Sequence, residues 1–331
     1  MNALILPTAE PRSQTISSQA GSSPGLVFQR LLAPTDFSEP SLKALDYALA
    51  LASPSGAIVR ALHVVEPTQK CLTFDPSSVL LPDEESVTLR QAELERIAQE
   101  RRHQAAKLAC HICVGRPVAE IVQAAIDFRS DLLVISTHGR TGLNHLLMGS
   151  VAERVVRHAP CPVLVVRKHE RELISAGKEQ MLGVRADRIL VPVDFSPRSI
   201  GALRYAARFA RTFGGKITVF HSLNLFAGLV PSEYPITCDA TYREVEETAQ
   251  QEARKCLAEH VAADLADEAI VRTGLPLTEI TAFAQAGKFD LIICATRSAA
   301  PLHHTLLGST AEQIMRHADC PVLVVGDTAL E

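Results

Sequence analysis

The stretch DLLVISTHGRTGLNHLLMGSVAERVVRHAPCPVLVV, residues 131–166, decides the fold class of this chain. Its apolar run Leu132–Ile135 predicts a buried strand of the kind found inside a parallel sheet. A loop of small and polar residues follows, Gly149-Ser150 opens a helix, and CPVLVV predicts a further strand. Because backbone N–H groups and the positive end of a helix attract negative charge, the loop and the helix start together predict a cradle for an anion.

A near-copy of this stretch lies at residues 290–325. Residues 152–166 and 311–325 are identical at 11 of 15 positions, and LLAPTDFS at residues 31–38 recurs as ILVPVDFS at residues 189–196. In each copy strands alternate with helices, which indicates a five-stranded, parallel, doubly wound sheet. The chain is therefore predicted to be a tandem duplication of one α/β domain.

The spacing of small residues in the loop matches a known signature. Ser136-Thr137-His138-Gly139, nine further residues and Gly149-Ser150 resemble Gly-x-x-Gly-x9-Gly-[Ser/Thr], the nucleotide-binding signature of the universal stress protein family, with serine in place of the first glycine. The resemblance includes both repeats and implies two Rossmann-like domains with strand order 3-2-1-4-5. It also implies ATP as the ligand, with Mg²⁺ as an optional companion. A Walker loop is excluded because the chain has no Gly-Lys-[Ser/Thr] motif there.

The predicted organisation has four segments and one contact between the domains. The segments are a disordered tail at residues 1–25, the first domain at 26–167, a charged linker at 168–186 and the second domain at 187–326. The last strands, Pro162–Val166 and Pro321–Val325, are apolar runs that would otherwise be exposed edges. We therefore expect the domains to pair through these strands as an intramolecular pseudo-dimer, with a homodimer as a further option.

The predicted site lies where the strand order reverses, because open α/β sheets bind ligands beyond the carboxyl ends of their strands at that point. Asp36 ends strand one and is expected near the ribose or base, while the loop after strand four is expected near the phosphates. The alternative for Asp36 is a helix-capping role ahead of Ser38. By the resemblance, Val64 meets adenine through its backbone. The predicted site comprises Pro34, Thr35, Asp36, Val64, Ile135, Ser136, His138, Gly139, Arg140, Gly149, Ser150, Val151 and Ala152.

The second copy is expected to bind nucleotide more weakly or differently. Ser136 and Gly139 align with Ala295 and Ser298, so the turn is altered while the helix start is kept. The alternative is that the second copy serves only as a structural partner. The aligned positions of this weaker site are Asp194, Ala295, Arg297, Ser298, Gly308, Ser309 and Thr310.

Other polar residues are interpreted as structural. His63 and His221 end the second strand of each copy, and no metal site is expected from His303-His304 because adjacent side chains diverge and a third ligand is not evident. Cys110 and Cys113 have a C-x-x-C spacing, but they fall in a predicted strand where residues three apart point to opposite faces. We therefore expect neither a zinc site nor a redox pair.

Composition and charge restrict the function classes. With 33 basic and 37 acidic residues the net charge is −4, which gives no general attraction to nucleic acid or anionic membranes. No apolar run approaches the ~20 residues of a membrane span, and a cytoplasmic location is expected.

The loop chemistry favours binding over catalysis. Residues 137–150 contain no Asp or Glu to hold a metal or act as a base. The sequence therefore predicts a cytoplasmic ATP-binding protein that regulates partners during stress. A slow ATP hydrolase or nucleotidyl-transferring enzyme is one alternative, and a nucleotide-free interaction scaffold is another.

Overall fold

The computed structural model describes residues 24–67, 84–104, 107–137, 149–167, 170–176, 182–224, 239–296 and 309–326. Of the predicted tail, only Pro24 and Gly25 fall within this part. Among the described residues, ten strands form one sheet and two more form a small separate sheet. None of the helices in these ranges combines the length and apolar content needed to cross a membrane.

The first domain alternates strands and helices as the sequence predicts. Its strands are β1 (Arg30–Pro34), β2 (Ile58–Val65), β3 (Lys107–Val114), β4 (Leu132–Ser136) and β5 (Val163–Val166). Its helices are α1 (Glu39–Ala52), α2 (Glu84–Glu100), α3 (Pro117–Asp127) and α4 (Ser150–His158). All neighbouring strands of this domain are parallel, in the order 3-2-1-4-5. The predicted doubly wound fold is confirmed.

The second domain repeats this arrangement after a short hairpin, β6 (Ile174–Ala176) and β7 (Leu182–Val184). Its strands are β8 (Arg188–Pro192), β9 (Lys216–Leu223), β10 (Ala266–Thr273), β11 (Leu291–Ala295) and β12 (Val322–Val325). Its helices are α5 (Pro197–Phe213), α6 (Asp239–His260), α7 (Pro276–Ala286) and α8 (Ser309–His317). The strand order is again 3-2-1-4-5.

The two domains share one sheet because β5 pairs with β12 in antiparallel register. Leu164 lies opposite Leu323, and both are almost fully buried. The structure thus pairs the two strands that the sequence predicted would cover each other's edge. Two apolar cores lie on the two faces of the sheet, and each contains residues of both domains.

The segment before β1 packs on the second domain. The apolar pattern of residues 27–33 predicts a strand that begins at Val27, but β1 begins only at Arg30, so this prediction is wrong at its start. Leu26 N–H donates to the Arg208 carbonyl of α5 at 3.2 Å, and the Phe28 ring stacks on Phe213 with centroids 6.0 Å apart. Leu26 and Phe28 are buried by this contact rather than by the sheet.

The linker makes the matching contact with the first domain. The sequence predicted only a charged connection, whereas the structure folds part of it into the β6–β7 hairpin, which packs on α1. Leu173 is fully buried, and its N–H donates to the Tyr47 hydroxyl at 3.0 Å. Each domain is therefore preceded by a segment that lies against the first helix of the other domain.

Candidate functional site

A cleft opens at the carboxyl edge of the sheet between β1 and β4. Leu31 pairs with Leu132 and Leu32 with Leu133, and beyond these positions each strand continues along its outer neighbour. Pro34 pairs with β2, and Ser136 with β5. The sheet thus separates at the point where the strand order reverses, which is where ligands of such sheets bind.

One wall of the cleft is the turn after β1, residues 35–38, which we call the β1 turn. Ser38 caps α1 by accepting a hydrogen bond from Ser41 N–H. Asp36 in turn accepts the Ser38 N–H at 3.1 Å through Oδ1. The contacts expected of the helix-capping alternative are therefore present, and the half-buried Asp36 carboxylate lies at the edge of the cleft.

The opposite wall is formed by the end of β4 and the start of α4. Gly149 N–H donates to the Thr137 carbonyl at 2.6 Å, which brings the two ends of the intervening loop together. A Cβ on residue 149 would lie 2.8 Å from that carbonyl oxygen, so only glycine fits without a backbone shift. Ser136 and Thr137 are buried beside this closure.

The helix start leaves backbone donors at this wall. No side chain caps α4, whose N-cap residue is Gly149. Since the first N–H groups of a helix have no partner inside the helix, Ser150, Val151 and Ala152 present their N–H groups at its positive end. The Gly149 N–H, by contrast, is already engaged with Thr137.

The structure brings most of the predicted residues of the first site to this edge of the sheet, and some lie outside the described ranges. The first set comprises Pro34, Thr35, Asp36, Val64, Ile135, Ser136, Gly149, Ser150, Val151 and Ala152. His138, Gly139 and Arg140 lie outside the described residues, as do Arg297, Ser298 and Gly308 of the second copy.

The second domain has the same opening between β8 and β11, where pairing joins Ile189 with Leu291 and Leu190 with Ile292. A cavity of about 150 Å³ occupies it. Burial raises the pKa of the Cys294 thiol, which lines this cavity, to about 12. The other lining residues include Asp194, Phe220, Ser222, Ala295 and Thr310.

Glu153, in the first turn of α4, forms ion pairs with arginines of two helices. Glu153 of α4 contacts Arg157 of the same helix and Arg316 of α8, each at 3.1 Å, so the second contact crosses between the domains. Within the described ranges, no group of three or more His, Cys, Asp or Glu side chains has the arrangement of a metal site.

The sequence predicted a structural part for His63 but not the contacts that it makes. Its ring Nδ1 lies 2.8 Å from the Thr35 carbonyl, and His221 makes the same contact with Val193. Each histidine therefore contacts the turn that carries the aspartate. The sequence signal for this contact was that His63 and His221 follow Asp36 and Asp194 at equal spacing. The loop motif does not include these histidines.

Comparisons with known proteins agree with this architecture. A model of the universal stress protein family matches residues 28–167 and again residues 185–326. The chain belongs to the universal stress protein family and contains its domain twice.

Curated relatives each correspond to less than half of the chain. Universal stress protein MJ0531 of Methanocaldococcus jannaschii is 36% identical over 153 residues, which cover 44% of this chain and 86% of the relative. Universal stress protein MJ0577 of the same organism is 32% identical over 158 residues, which cover 43% and 97%. A crystal structure of a universal stress protein from Archaeoglobus fulgidus covers 91% of this chain and 97% of that chain, with a TM-score of 0.60. At 24% identity that likeness concerns the fold alone.

Proposed function

We propose that this chain is an adenine-nucleotide-binding regulatory protein that binds ATP mainly in its first domain. In this proposal Asp36 and the backbone of Val64 form the nucleoside side of the site. The phosphate side consists of residues 136–140 and the start of α4, residues 149–152. The protein would act in the cytoplasm during stress, where its nucleotide state alters its contacts with partners.

The closure between Gly149 and Thr137 is the observation that supports this proposal most directly. It sets an uncapped helix start at the mouth of the cleft and requires the absence of a Cβ. An uncapped helix start binds phosphate through its N–H groups and its positive dipole end. In this proposal the Asp36 carboxylate, which follows β1, is the acceptor for a ribose hydroxyl or base amine.

The described residues fit a bound nucleotide better than a metal ion that protein side chains would coordinate. On α4 the acidic residue nearest the phosphate side is Glu153, and two arginines already pair with it. A Mg²⁺ ion would therefore arrive with the nucleotide, bound to its phosphates, and would neutralise part of their charge. The residues of this chain would position the nucleotide through backbone N–H groups and the Asp36 carboxylate.

We infer binding without efficient turnover. Phosphoryl transfer needs a base or a metal-holding carboxylate beside the phosphates, and residues 137–150 contain no Asp or Glu. The alternative of an ATP hydrolase or nucleotidyl-transferring enzyme predicts turnover near the usual range of about 1–1000 per second. The alternative of a nucleotide-free scaffold predicts no bound nucleotide.

Two measurements on the purified protein separate these functions. Native mass spectrometry should show the chain carrying an adenine nucleotide, and a mass equal to that of the bare chain, unchanged by added ATP, would contradict the proposal. In a turnover assay we expect no hydrolysis above about 0.01 per second, well below ordinary enzymes. A rate of about 1 per second or more that is lost in Asp36→Ala would favour the enzyme instead.

A further inference from the structure

The residue after the site aspartate has an unusual backbone conformation in both domains. Phe37 has φ of 65° and Phe195 has φ of 59°, in the left-handed region that residues with a Cβ rarely adopt. Such a conformation persists only where the surroundings impose it. Hydrogen bonds within the β1 turn, from Ser38 N–H to Asp36 and from Phe37 N–H to Thr35, hold part of this conformation, and contacts from outside the turn hold the Phe37 ring and the Thr35 carbonyl.

A histidine from the neighbouring strand supplies those contacts. The His63 ring lies against the Phe37 ring with centroids 4.3 Å apart, and it is 92% buried, being 8% exposed. Its Nδ1 lies 2.8 Å from the Thr35 carbonyl oxygen. Because a carbonyl can only accept, Nδ1 must carry the proton of this hydrogen bond. One side chain thus holds the turn on both sides of Asp36.

The second domain repeats this arrangement in different surroundings. His221 lies 4.5 Å from the Phe195 ring and 2.8 Å from the Val193 carbonyl. In the first domain the Thr35 hydroxyl also accepts the Phe37 N–H at 3.0 Å, but the second domain has Val193 at that position and no such hydroxyl. The two left-handed turns therefore share the histidine contacts and the hydrogen bond from the serine N–H to the aspartate, but not the threonine contact.

We propose that His63 is a positioning residue of the nucleotide site, which holds the β1 turn so that Asp36 faces the ligand. His63 directly precedes Val64, so the same side chain couples the turn to the strand end that forms the rest of the nucleoside side. His221 does the same for Asp194. This inference rests on the proposed function for its effect on affinity, but its effect on the turn is independent of any ligand.

Two substitutions at His63 each remove one of its two contacts and keep the other. His63→Asn keeps an N–H donor near the position of Nδ1 and loses the ring, whereas His63→Phe keeps a ring against Phe37 and loses the donor. ATP is titrated into five full-length proteins: the wild type, the two His63 variants, Asp36→Ala, and the double variant Asp36→Ala with His63→Phe. We expect His63→Phe to bind ATP about tenfold more weakly than the wild type, or weaker still, and His63→Asn to retain most of the wild-type affinity.

The double variant distinguishes positioning from a general structural role. If His63 acts through Asp36, then His63→Phe should cost little further affinity once Asp36 is alanine, because coupled residues are non-additive. Additive losses would overturn the proposal. Wild-type affinity in His63→Phe would also overturn it, while leaving the proposed nucleotide function intact.

The turn itself gives a readout that needs no nucleotide. In protein labelled with ¹⁵N-phenylalanine, His63→Phe should change the three-bond HN–Hα coupling of Phe37, which reports its φ, and His63→Asn should keep this coupling near its wild-type value. The matched change His221→Phe should change the coupling of Phe195 and leave that of Phe37 as it is. An unchanged Phe37 coupling in His63→Phe would refute the positioning role even if the chain binds no nucleotide at all. If His63→Phe fails to fold, the asparagine variant still decides, since a changed Phe37 coupling with lost ATP binding there contradicts the proposed donor.

Discussion

The two domains agree at the end of their first strand and differ at the end of their fourth. Asp36 and Asp194 sit in turns with the same left-handed phenylalanine and the same histidine contact. In contrast, β4 ends in Ser136 whereas β11 ends in Ala295, and the residues that follow differ in sequence as well. The parts that build the sheet, the β1 turn and the Gly-Ser helix start are alike in the two copies, whereas the residues directly after the fourth strand, which are predicted to contact phosphate, differ.

The difference also extends to the contacts between domains. Lys43 of α1 lies 3.7 Å from Glu170 of the linker, whereas the position of Lys43 in the second domain is occupied by Gly201. The two segments that lie on the partner domain therefore differ in charge as well as in structure. Matched substitutions in the two domains should therefore change stability or binding equally at some positions and unequally at others.

The largest equal effect is expected at the shared sheet. Leu164→Ala and Leu323→Ala each remove a buried side chain from the same β5–β12 contact, so each should lower the free energy of unfolding by about 3–5 kcal/mol. Leu89→Ala is the control, because Leu89 is 62% exposed and its loss should change stability by less than about 0.5 kcal/mol. Urea denaturation measures all three. A small effect at either buried leucine would contradict the shared sheet.

The same contact should also operate between separate chains. Residues 26–167 and residues 187–326, expressed as two proteins, would each expose the edge strand that pairs in the intact chain. We expect them to associate with each other or with themselves in analytical ultracentrifugation. Halves that stay monomeric and soluble at high concentration would contradict this expectation.

A smaller effect on stability is expected at Glu170, whose contact with Lys43 belongs to one side of the domain interface. Its side chain is fully buried, and its carboxylate lies 3.7 Å from the Lys43 ammonium group. Burial raises the pKa of this carboxyl from 4.5 to about 8, which the nearby Lys43 and Arg167 only partly oppose. Between these two values the folded chain therefore holds a proton that the unfolded chain has released.

The resulting pH dependence has a defined sign. The stability linked to Glu170 is fully present below about pH 4.5 and is lost as the pH rises towards 8, by roughly 3–4 kcal/mol between pH 5 and 8. Glu170→Gln should remove this part of the decline, whereas Glu172→Gln, at an exposed neighbouring position, should keep it. Urea midpoints from pH 5 to 8.5 test this. An identical decline in wild type and Glu170→Gln would show that another group is responsible.

The smallest effect concerns the ion pair between α4 and α8. Glu153 and Arg316 are 3.1 Å apart and partly exposed, so a double-mutant cycle with alanine should give a coupling of roughly 0.2–1 kcal/mol. Arg157 pairs with the same carboxylate from within α4 and provides the matched cycle inside one domain. A coupling above about 2 kcal/mol would mean that the interface excludes water more fully than these exposures indicate.

Much of the fold could be predicted because its signals are local. Buried strands, Pro and Ser at helix starts and the repeat of residues 31–38 are all visible in the sequence. The start of β1 and the β6–β7 hairpin could not be predicted, since Leu26, Phe28 and Leu173 are buried by the other domain. Apolar residues near a strand do not reveal which surface will cover them.

The site was predictable where a motif marks it and not where a single side chain supports it. Gly149 was identified by the spacing of the motif, and the structure adds that its N–H donates a hydrogen bond to the Thr137 carbonyl. His63 carries no motif, and its importance follows only from the Phe37 backbone that it contacts. The binding roles assigned to the site residues remain predictions.

Calorimetric titration of the intact chain with ATP tests the central claim most directly, because it counts sites and ranks them. We predict one tight site per chain, lost in Gly149→Val, where the new side chain would meet the Thr137 carbonyl, with affinity reduced at least about 100-fold or ~2.7 kcal/mol. Circular dichroism should show that this variant keeps its fold. Asp194→Ala should barely alter the tight site. Two sites of equal affinity, or loss of the tight site in Asp194→Ala alone, would contradict the assignment of ATP to the first domain.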